Sequence, residues 1–366
     1  MLHFASIFLY DDIKDGWGLV FESNIDGEVD PYLRRLIAVC EEKDGGAFLL
    51  GLFSHCYGFS GDDLPSLLAY WKTHLVNPQA GYVAGVGITR NQVLMDDSIY
   101  QVVNNTLGSG AKKMEPAAAQ AAILAALEQA DETKGRWSTD DDDPNYGTLQ
   151  KLKSLGSLVV SAFCFIGLGI INLIPERTAR QDNERPDKDM VREQQQNEDI
   201  LPTNHMVSVV HLQTDAPRLW AKRCGFGLLK ALVILKFNKG HLGPIDTIHF
   251  AHWAFLNDNR RMLFVSNYGG GWDSYLDDFT LKAAPGLTLA WAHSKGFPKS
   301  WFMLLSGAAQ GPEFIDYARR SMVPTLVWYK AYPGLSAPNI MRNRRIRLGL
   351  IKAKQGHGNT SWLQEV

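Results

Sequence analysis

Short apolar runs broken by turn residues occupy both ends of the chain, and the two ends carry nearly the same pattern. At the N-terminal end, residues 4–10 and 18–23 are apolar runs separated by Asp11-Asp12-Ile13-Lys14-Asp15-Gly16, which predicts a β-hairpin with a long loop. Asp30 stands before Pro31, the pattern of a helix N-cap followed by proline. Tyr32, Leu33, Leu36, Ile37 and Cys40 follow at helical spacing, and Gly45-Gly46 closes that helix. Residues 47–53 read as a strand. Asp62 and Asp63 open a second helix with Leu64, Leu67, Leu68 and Trp71 on one face, and residues 82–88 read as a closing strand. The expected order is β-β-α-β-α-β.

The C-terminal end repeats this order. Residues 249–256 and 262–266 form the hairpin, 272–284 the first helix, 287–292 a strand, 301–305 an extra strand, 312–320 the second helix and 325–332 the closing strand. The repetition is literal in places. From Glu22 to Leu33, six of twelve residues recur at an offset of 243, Ser23-Asn24 returning as Ser266-Asn267 and Asp30 as Asp273. His3-Phe4-Ala5 returns as His249-Phe250-Ala251 at 246, and His55 as His293 at 238. Split β-α-β units with helices on one side of an antiparallel sheet follow the ferredoxin-like plan, and two such units can bury their bare sheet faces against each other. The expected fold is α+β: two ferredoxin-like repeats, residues 1–108 and 241–350, closing one pseudo-symmetric α/β barrel of the dimeric type within a single chain.

The region between the repeats has another character. Residues 109–204 form an insert with an alanine-rich helix at 116–130, an acidic run at 140–143 and a charged, glutamine-rich segment at 176–199. Residues 155–174, from Leu155 to Ile174, hold no charge and are as long as a bilayer core is thick. Residues 205–240 form a basic amphipathic connector, and 351–366 a polar tail. A single crossing at 155–174 would put the repeats on opposite sides of a membrane, where they cannot share a barrel. Three arrangements avoid this: a buried helix, a return crossing through 219–237, or a segment lying in one leaflet with the basic amphipathic stretch beside it as a surface anchor. Attachment to the inner membrane surface, with both repeats on the cytoplasmic side, is the expectation.

Composition narrows the functional classes. With 45% hydrophobic and 21% charged residues the chain is globular, and a net charge of -2 gives no reason to expect nucleic acid as a partner. Four scattered cysteines form no CxxC, which speaks against a zinc site or a disulfide scaffold and for a reducing compartment. The chain opens into a strand-like run with no basic segment or cleavage site, so no signal peptide is expected. The basic run Arg342, Arg344, Arg345, Arg347, Lys352 and Lys354 reads as a solvated face, with anionic lipid as the functional option.

The strings Thr247-Ile248-His249-Phe250-Ala251, Ser266-Asn267-Tyr268-Gly269-Gly270-Gly271-Trp272-Asp273 and Val327-Trp328-Tyr329-Lys330-Ala331-Tyr332-Pro333-Gly334-Leu335 resemble an uncharacterised bacterial family. That family carries a Ser-Asn-Tyr-Asp-Gly-Ser motif and is distantly similar to the dimeric α/β-barrel superfamily of the dye-decolorising peroxidases. The resemblance implies the fold, and through the superfamily it raises haem peroxidase chemistry. The peroxidase Gly-x-x-Asp-Gly motif is incomplete here: Ser23 stands for its first glycine in one copy, and Gly269 for its aspartate in the other. Candidate ligand or haem contacts are His55 and His293, which follow equivalent runs, together with Asn24, Asp26, Asp30, Asn267 and Asp273. A structural role is the competing account: aspartate as helix cap, asparagine as turn residue, histidine as strand end. The functional expectation is a membrane-associated barrel that binds a small or apolar ligand. The alternatives are a haem-dependent peroxidase-like oxidoreductase and a non-catalytic scaffold.

Overall fold

The computed structural model describes residues 1–12, 14, 16–108, 114–138, 147–168, 186–236, 245–356 and 360–366. Ile174 and the acidic run 140–143 lie outside these residues. The fold is mixed α+β, with twelve α-helices among the described residues. Strands β1 (Leu2–Asp12) and β2 (Gly16–Ile25) form the first hairpin. Helices α1 (Val29–Asp44), α2 (Ala47–Phe53) and α3 (Leu64–Thr73) follow, then β3 (Ala80–Val83) and α4 (Arg90–Leu107). The insert and the connector contribute α5 (Pro116–Gln129), α6 (Thr148–Gly167), α7 (Lys188–Asn197), β4 (Thr203–His211) and α8 (Ala216–Lys236). The second half has β5 (Ile248–Leu256), β6 (Arg261–Gly269), α9 (Trp272–Lys282), α10 (Ala284–Trp291), the two-residue strands β7 (Ser300–Trp301) and β8 (Leu305–Ser306), α11 (Gly311–Ser321), β9 (Thr325–Lys330) and α12 (Ala337–Lys354).

The main sheets are antiparallel, in the orders β2-β1-β9 and β3-β5-β6-β4. The closing strand of each half thus pairs with the opening strand of the other. The registers correspond: Ala5 faces Tyr329 as Ala251 faces Tyr82, and Phe4 faces Asn24 as Phe250 faces Asn267. Both hairpins shift register at the same place, between Leu2 and Phe4 and between Ile248 and Phe250. The Ala331 amide donates to the His3 carbonyl, as the Ala84 amide donates to that of His249.

The barrel is not closed. The edges of β4 and β9 meet through a bridge between Ser208 and Met322 and a hydrogen bond from the Val323 amide to the Val207 carbonyl. No ladder joins β2 to β3 among the described residues, so a seam runs between those two edges. The sheets pack face to face, with Phe8, Val207, Ala254, Leu263 and Val265 in the layer between them. Helices α1–α3 make the cluster of Leu33, Ile37, Phe53, Leu67 and Trp71 outside the first sheet, where Trp71 meets Phe21. Trp253, Phe264, Trp291 and Phe314 pack between the second sheet and its helices.

The middle strand expected in each half is a helix. Gly45 and Gly46 both adopt the left-handed conformation, which ends α1 and restarts the chain at once. The Asp44 carboxylate then accepts the Gly46 and Phe48 amides at 2.9 and 3.1 Å and caps α2. In the second half Pro285 stands in the first turn of α10, where its missing N–H costs nothing. A short apolar run carries no period that separates a strand from a buried helix. Each half therefore reads β-β-α-α-α-β-α, apart from the small β7–β8 hairpin in the second. The last helix of the unit, α4 or α12, was absent from the expected order.

The connector and the basic run also differ from expectation. Helix α8 is no surface anchor: Ala221, Gly225, Phe226 and Val233 are buried, and Lys222 donates to the Ala290 and Ala292 carbonyls. Arg344 and Arg347 are buried beside Asp96, whose Oδ1 lies 3.0 Å from Arg347 Nη1. They join α12 to α4 rather than facing lipid.

Thr89 and Ser336, 247 residues apart in sequence, cap α4 and α12 by accepting the Gln92 and Asn339 amides. Thr89→Ala and Ser336→Ala should each cost about 1 kcal/mol in denaturant melts. A neutral result at either position would show that the cap does not hold that helix.

Candidate functional site

Strand alternation sends Ser6, Glu22 and Trp328 in one row, and Asn24, Phe4 and Lys330 in the next, into the layer between the sheets. The facing sheet supplies Gly81, His252 and Val265, then Phe250, Asn267 and His205. This layer holds an unusual amount of polar chemistry. The Glu22 carboxylate accepts from Ser6 Oγ at 3.1 Å and from Asn24 Nδ2, and His252 Nε2 lies 3.7 Å away. Burial drives the Glu22 pKa up to about 7, although the Ser6 and Asn24 hydrogen bonds pull it down. Burial drives His252 down to about 4. The His252 side chain remains 21% exposed, against 5% for Glu22. Its neighbour on edge strand β3 is Gly81, so no side chain there covers the imidazole.

Two groups in this layer lack partners. His205 places Nδ1 2.9 Å from Thr325 Oγ1 and stacks on Trp328, while its Nε2 makes no hydrogen bond. Asn267 Oδ1 accepts from Trp328 Nε1 at 2.9 Å, while its buried Nδ2 makes none. Burial, with His252 and Lys330 nearby, pushes His205 down to about 3. Buried polar atoms in folded proteins are nearly always paired, so these two groups keep unused hydrogen-bonding capacity.

A second polar chain lies at the bulged ends of the hairpins. His3 Nε2 sits 2.7 Å from Asp26 Oδ1, and His3 Nδ1 sits 2.8 Å from the Tyr332 hydroxyl. Asp26 Oδ2 accepts the Arg90 amide at 2.9 Å. Burial works against ionisation of Asp26, yet His3, the Arg90 amide and the Met1 ammonium hold its pKa below the usual value. His249 occupies the matching place in the other half, where Gly269 and Gly85 stand for Asp26 and Tyr332, and its buried Nε2 is unpartnered. His3, His249, Tyr332 and Gly85 line a cavity of about 20 Å³, room for one water.

The expected site residues are thus only partly gathered. Asn24 and Asn267 are inward-facing strand residues rather than turn residues, and Asp26 belongs to the His3 chain. Asp30 and Asp273 are not N-caps. Glu28 and Gly271 hold those positions, and the aspartates sit in the first turns of α1 and α9. Asp30 pairs on the surface with Arg34 and Lys72. His55 is exposed after α2, and His293 is buried after α10 with φ of 66°. Both follow helices rather than central strands, and they do not share a cavity. Two cavities among the described residues measure about 10 and 20 Å³, whereas pockets for organic ligands hold roughly 300–1,000 Å³. The residues present do not fit haem. The sequence reading missed Glu22, His252 and His205, although alternation along β1, β2, β4 and β5 would have put polar residues on the inner face. Comparison with protein-family models, curated proteins and solved structures finds no match.

The Glu22 pKa fixes a sign. A carboxyl whose folded pKa exceeds its unfolded value binds more protons when folded, so stability falls as pH rises from about 4.5 to about 7. His252 acts oppositely between about 4 and 6.5, which is why the comparison must be made against a variant. Glu22→Gln should gain on wild type by on the order of 3 kcal/mol between acid and alkaline ends of that window. A pH-independent difference in urea melts would mean that Glu22 ionises freely.

Proposed function

We propose that the chain consists of two copies of one β-β-α-α-α-β-α unit that have exchanged closing strands, and that it works at a membrane surface and binds a small polar ligand in the seam between its sheets. The matching registers, the matching bulges and the caps Thr89 and Ser336 support the duplication. Two sheets packed face to face with helices outside also suit the dimeric α/β-barrel superfamily that the sequence resembles, here with one side left open.

The observation that carries the ligand reading is the pair of open groups, His205 Nε2 and Asn267 Nδ2, in the layer that holds Glu22 and His252. A ligand with both donor and acceptor atoms would satisfy them. Glu22, titrating near neutrality, is suited to exchange a proton with it. The seam is polar, which favours a small polar guest over an apolar one. NMR spectra of the histidine rings, recorded during titration with formamide, acetate and ethanol as probes, test the site. The His205 and His252 signals should move with at least one probe, and Glu22→Gln should weaken the response. Ring signals that stay fixed at high millimolar concentrations of all three would remove the ligand reading.

Helix α6 supports the membrane reading. It has 20 residues, long and apolar enough by length and composition to cross a membrane. It packs on α8 with Ser154 and Phe165 inward, while Leu149, Leu152, Val160, Phe163 and Ile166 are between 61% and 74% exposed. These five recur at helical spacing on one face, with Lys151 and Lys153 near its start, as in a helix lying in the interface. That placement keeps both halves on one membrane side, the cytoplasmic one by expectation. The purified chain should float with vesicles containing anionic lipid, and Phe163→Asp with Ile166→Asp should release it without lowering the melting temperature. A wild-type chain that stays at the bottom of the gradient would sink this reading.

A further inference from the structure

The insert carries a second chemistry. Helices α6 and α8 run antiparallel in contact, and two side-chain pairs fix their register. Ser161 lies against Gly227, and Cys164 neighbours Cys224 closely enough for its thiol to raise the Cys224 pKa. The residue numbers in each pair add to the same value, as two antiparallel helices in fixed register require, and the pairs sit one turn apart. The approach is close. A Cβ placed on Gly227 would stand 3.1 Å from the Ser161 Cβ. A disulfide needs a Cβ–Cβ separation of about 3.5–4.5 Å, so the helices are near enough at this level to be bridged one turn away. Any side chain at 227 would push them apart.

The two sulfurs differ in access. Cys164 is exposed, whereas Cys224 is half-buried, and burial followed by the neighbouring Cys164 thiol raises its pKa to about 11. Cys40 and Cys56 lie among the helices outside the first sheet, in a separate cluster.

We propose that Cys164 and Cys224 are a reversible dithiol–disulfide pair that reacts with low-molecular-weight disulfides such as oxidised glutathione. The exposed Cys164 thiolate attacks one sulfur of the glutathione disulfide, forming a mixed disulfide and releasing one glutathione thiolate. Cys224 gives up its proton to solvent and attacks the Cys164 sulfur, and the second glutathione thiolate leaves. Two protein thiols are oxidised, and one glutathione disulfide is reduced to two thiols. The bond locks α6 on α8 and fixes which face of α6 is turned outward. In a reducing compartment the pair rests as dithiol and closes when the glutathione pool is oxidised.

The test uses the full-length chain. It is equilibrated in glutathione buffers of increasing oxidised fraction, quenched in acid, alkylated and digested for mass spectrometry. The expected product is a Cys164–Cys224 linked peptide that dithiothreitol removes, with Cys40 and Cys56 alkylated throughout. The linked form should melt at a higher temperature than the reduced form, and Gly227→Leu should suppress linkage while leaving Cys164 reactive. Cys224→Ser should stop at glutathione-modified Cys164. Wild-type chain that also stops there, or that links Cys164 to Cys40 or Cys56 as readily, would overturn the proposal. Because the readout is covalent, it is independent of whether α6 meets a membrane.

Discussion

The exchange of closing strands is the constraint on which the rest of this structure depends. β3 leaves the first half to pair with β5, and β9 leaves the second half to pair with β1. Without β9 the first sheet would be a bare two-stranded hairpin, and such hairpins are marginal in water. Neither half can therefore bury its inner face alone. The exchange sets which residues meet: Trp328 reaches the row of Ser6 and Glu22 only because β9 lies beside β1, and Gly81 stands next to His252 only because β3 lies beside β5. It also brings α4 and α12 together, since each follows an exchanged strand. The pairing of Asp96 with Arg347 and of Asp97 with Asn343 locks that arrangement on the far side of the sheets.

The polar interior is informative because the two halves, which match in register, differ inside it. Where the first half has Glu22, the second has Val265, and where the second has His252, the first has Ser6. Two copies of the Glu22–His252 pair would require two buried carboxyls and a doubled desolvation cost. A single pair confines that cost to one row. The same asymmetry appears at the bulges. His3 has a carboxylate and a phenol as partners, while His249 faces glycine at both matching places. The shape of the layer is shared, and its chemistry is not.

The sequence revealed the repeat and both hairpins because alternation and shared strings survive without knowledge of packing. His3, at an offset of 246, and Asn24 and Asp30, at 243, pointed to their partners through identity. It misled where identity was lost or period was absent. The residues from Ala47 to Phe53 are apolar at nearly every position, so they looked like a buried strand, although Asp44 and Pro285 were signals of helix starts. The closing strands were expected in both halves, and the helix after each was legible as well. Tyr82, Ala84 and Gly87 return as Tyr329, Ala331 and Gly334, with Thr89 answered by Ser336, all at an offset of 247. The candidate site was harder to read. Glu22 and His252 are not repeated residues, and a search for repetition passes over positions where the copies differ. Strand exchange brought them together, and exchange is a property of pairing that no local pattern encodes.

The described part of the apolar segment, up to Leu168, bears unevenly on the three arrangements. A buried helix would turn its large side chains inward, yet Leu149, Leu152, Val160, Phe163 and Ile166 face out. A return crossing through the connector would need α8 to be free, yet α8 is committed to the second sheet: Phe226 meets Trp253 and Phe255, and Lys222 is held by two carbonyls. Withdrawing α8 into a bilayer would expose that core and strand the lysine without its partners, at a cost of several kcal/mol. What is left is a helix fastened along one side to a folded body, with an apolar stripe along the other. Such a stripe does not need to span anything. On the membrane reading proposed above it would be satisfied by lying flat, and a body with both halves on one side of such a helix would keep its exchanged strands paired.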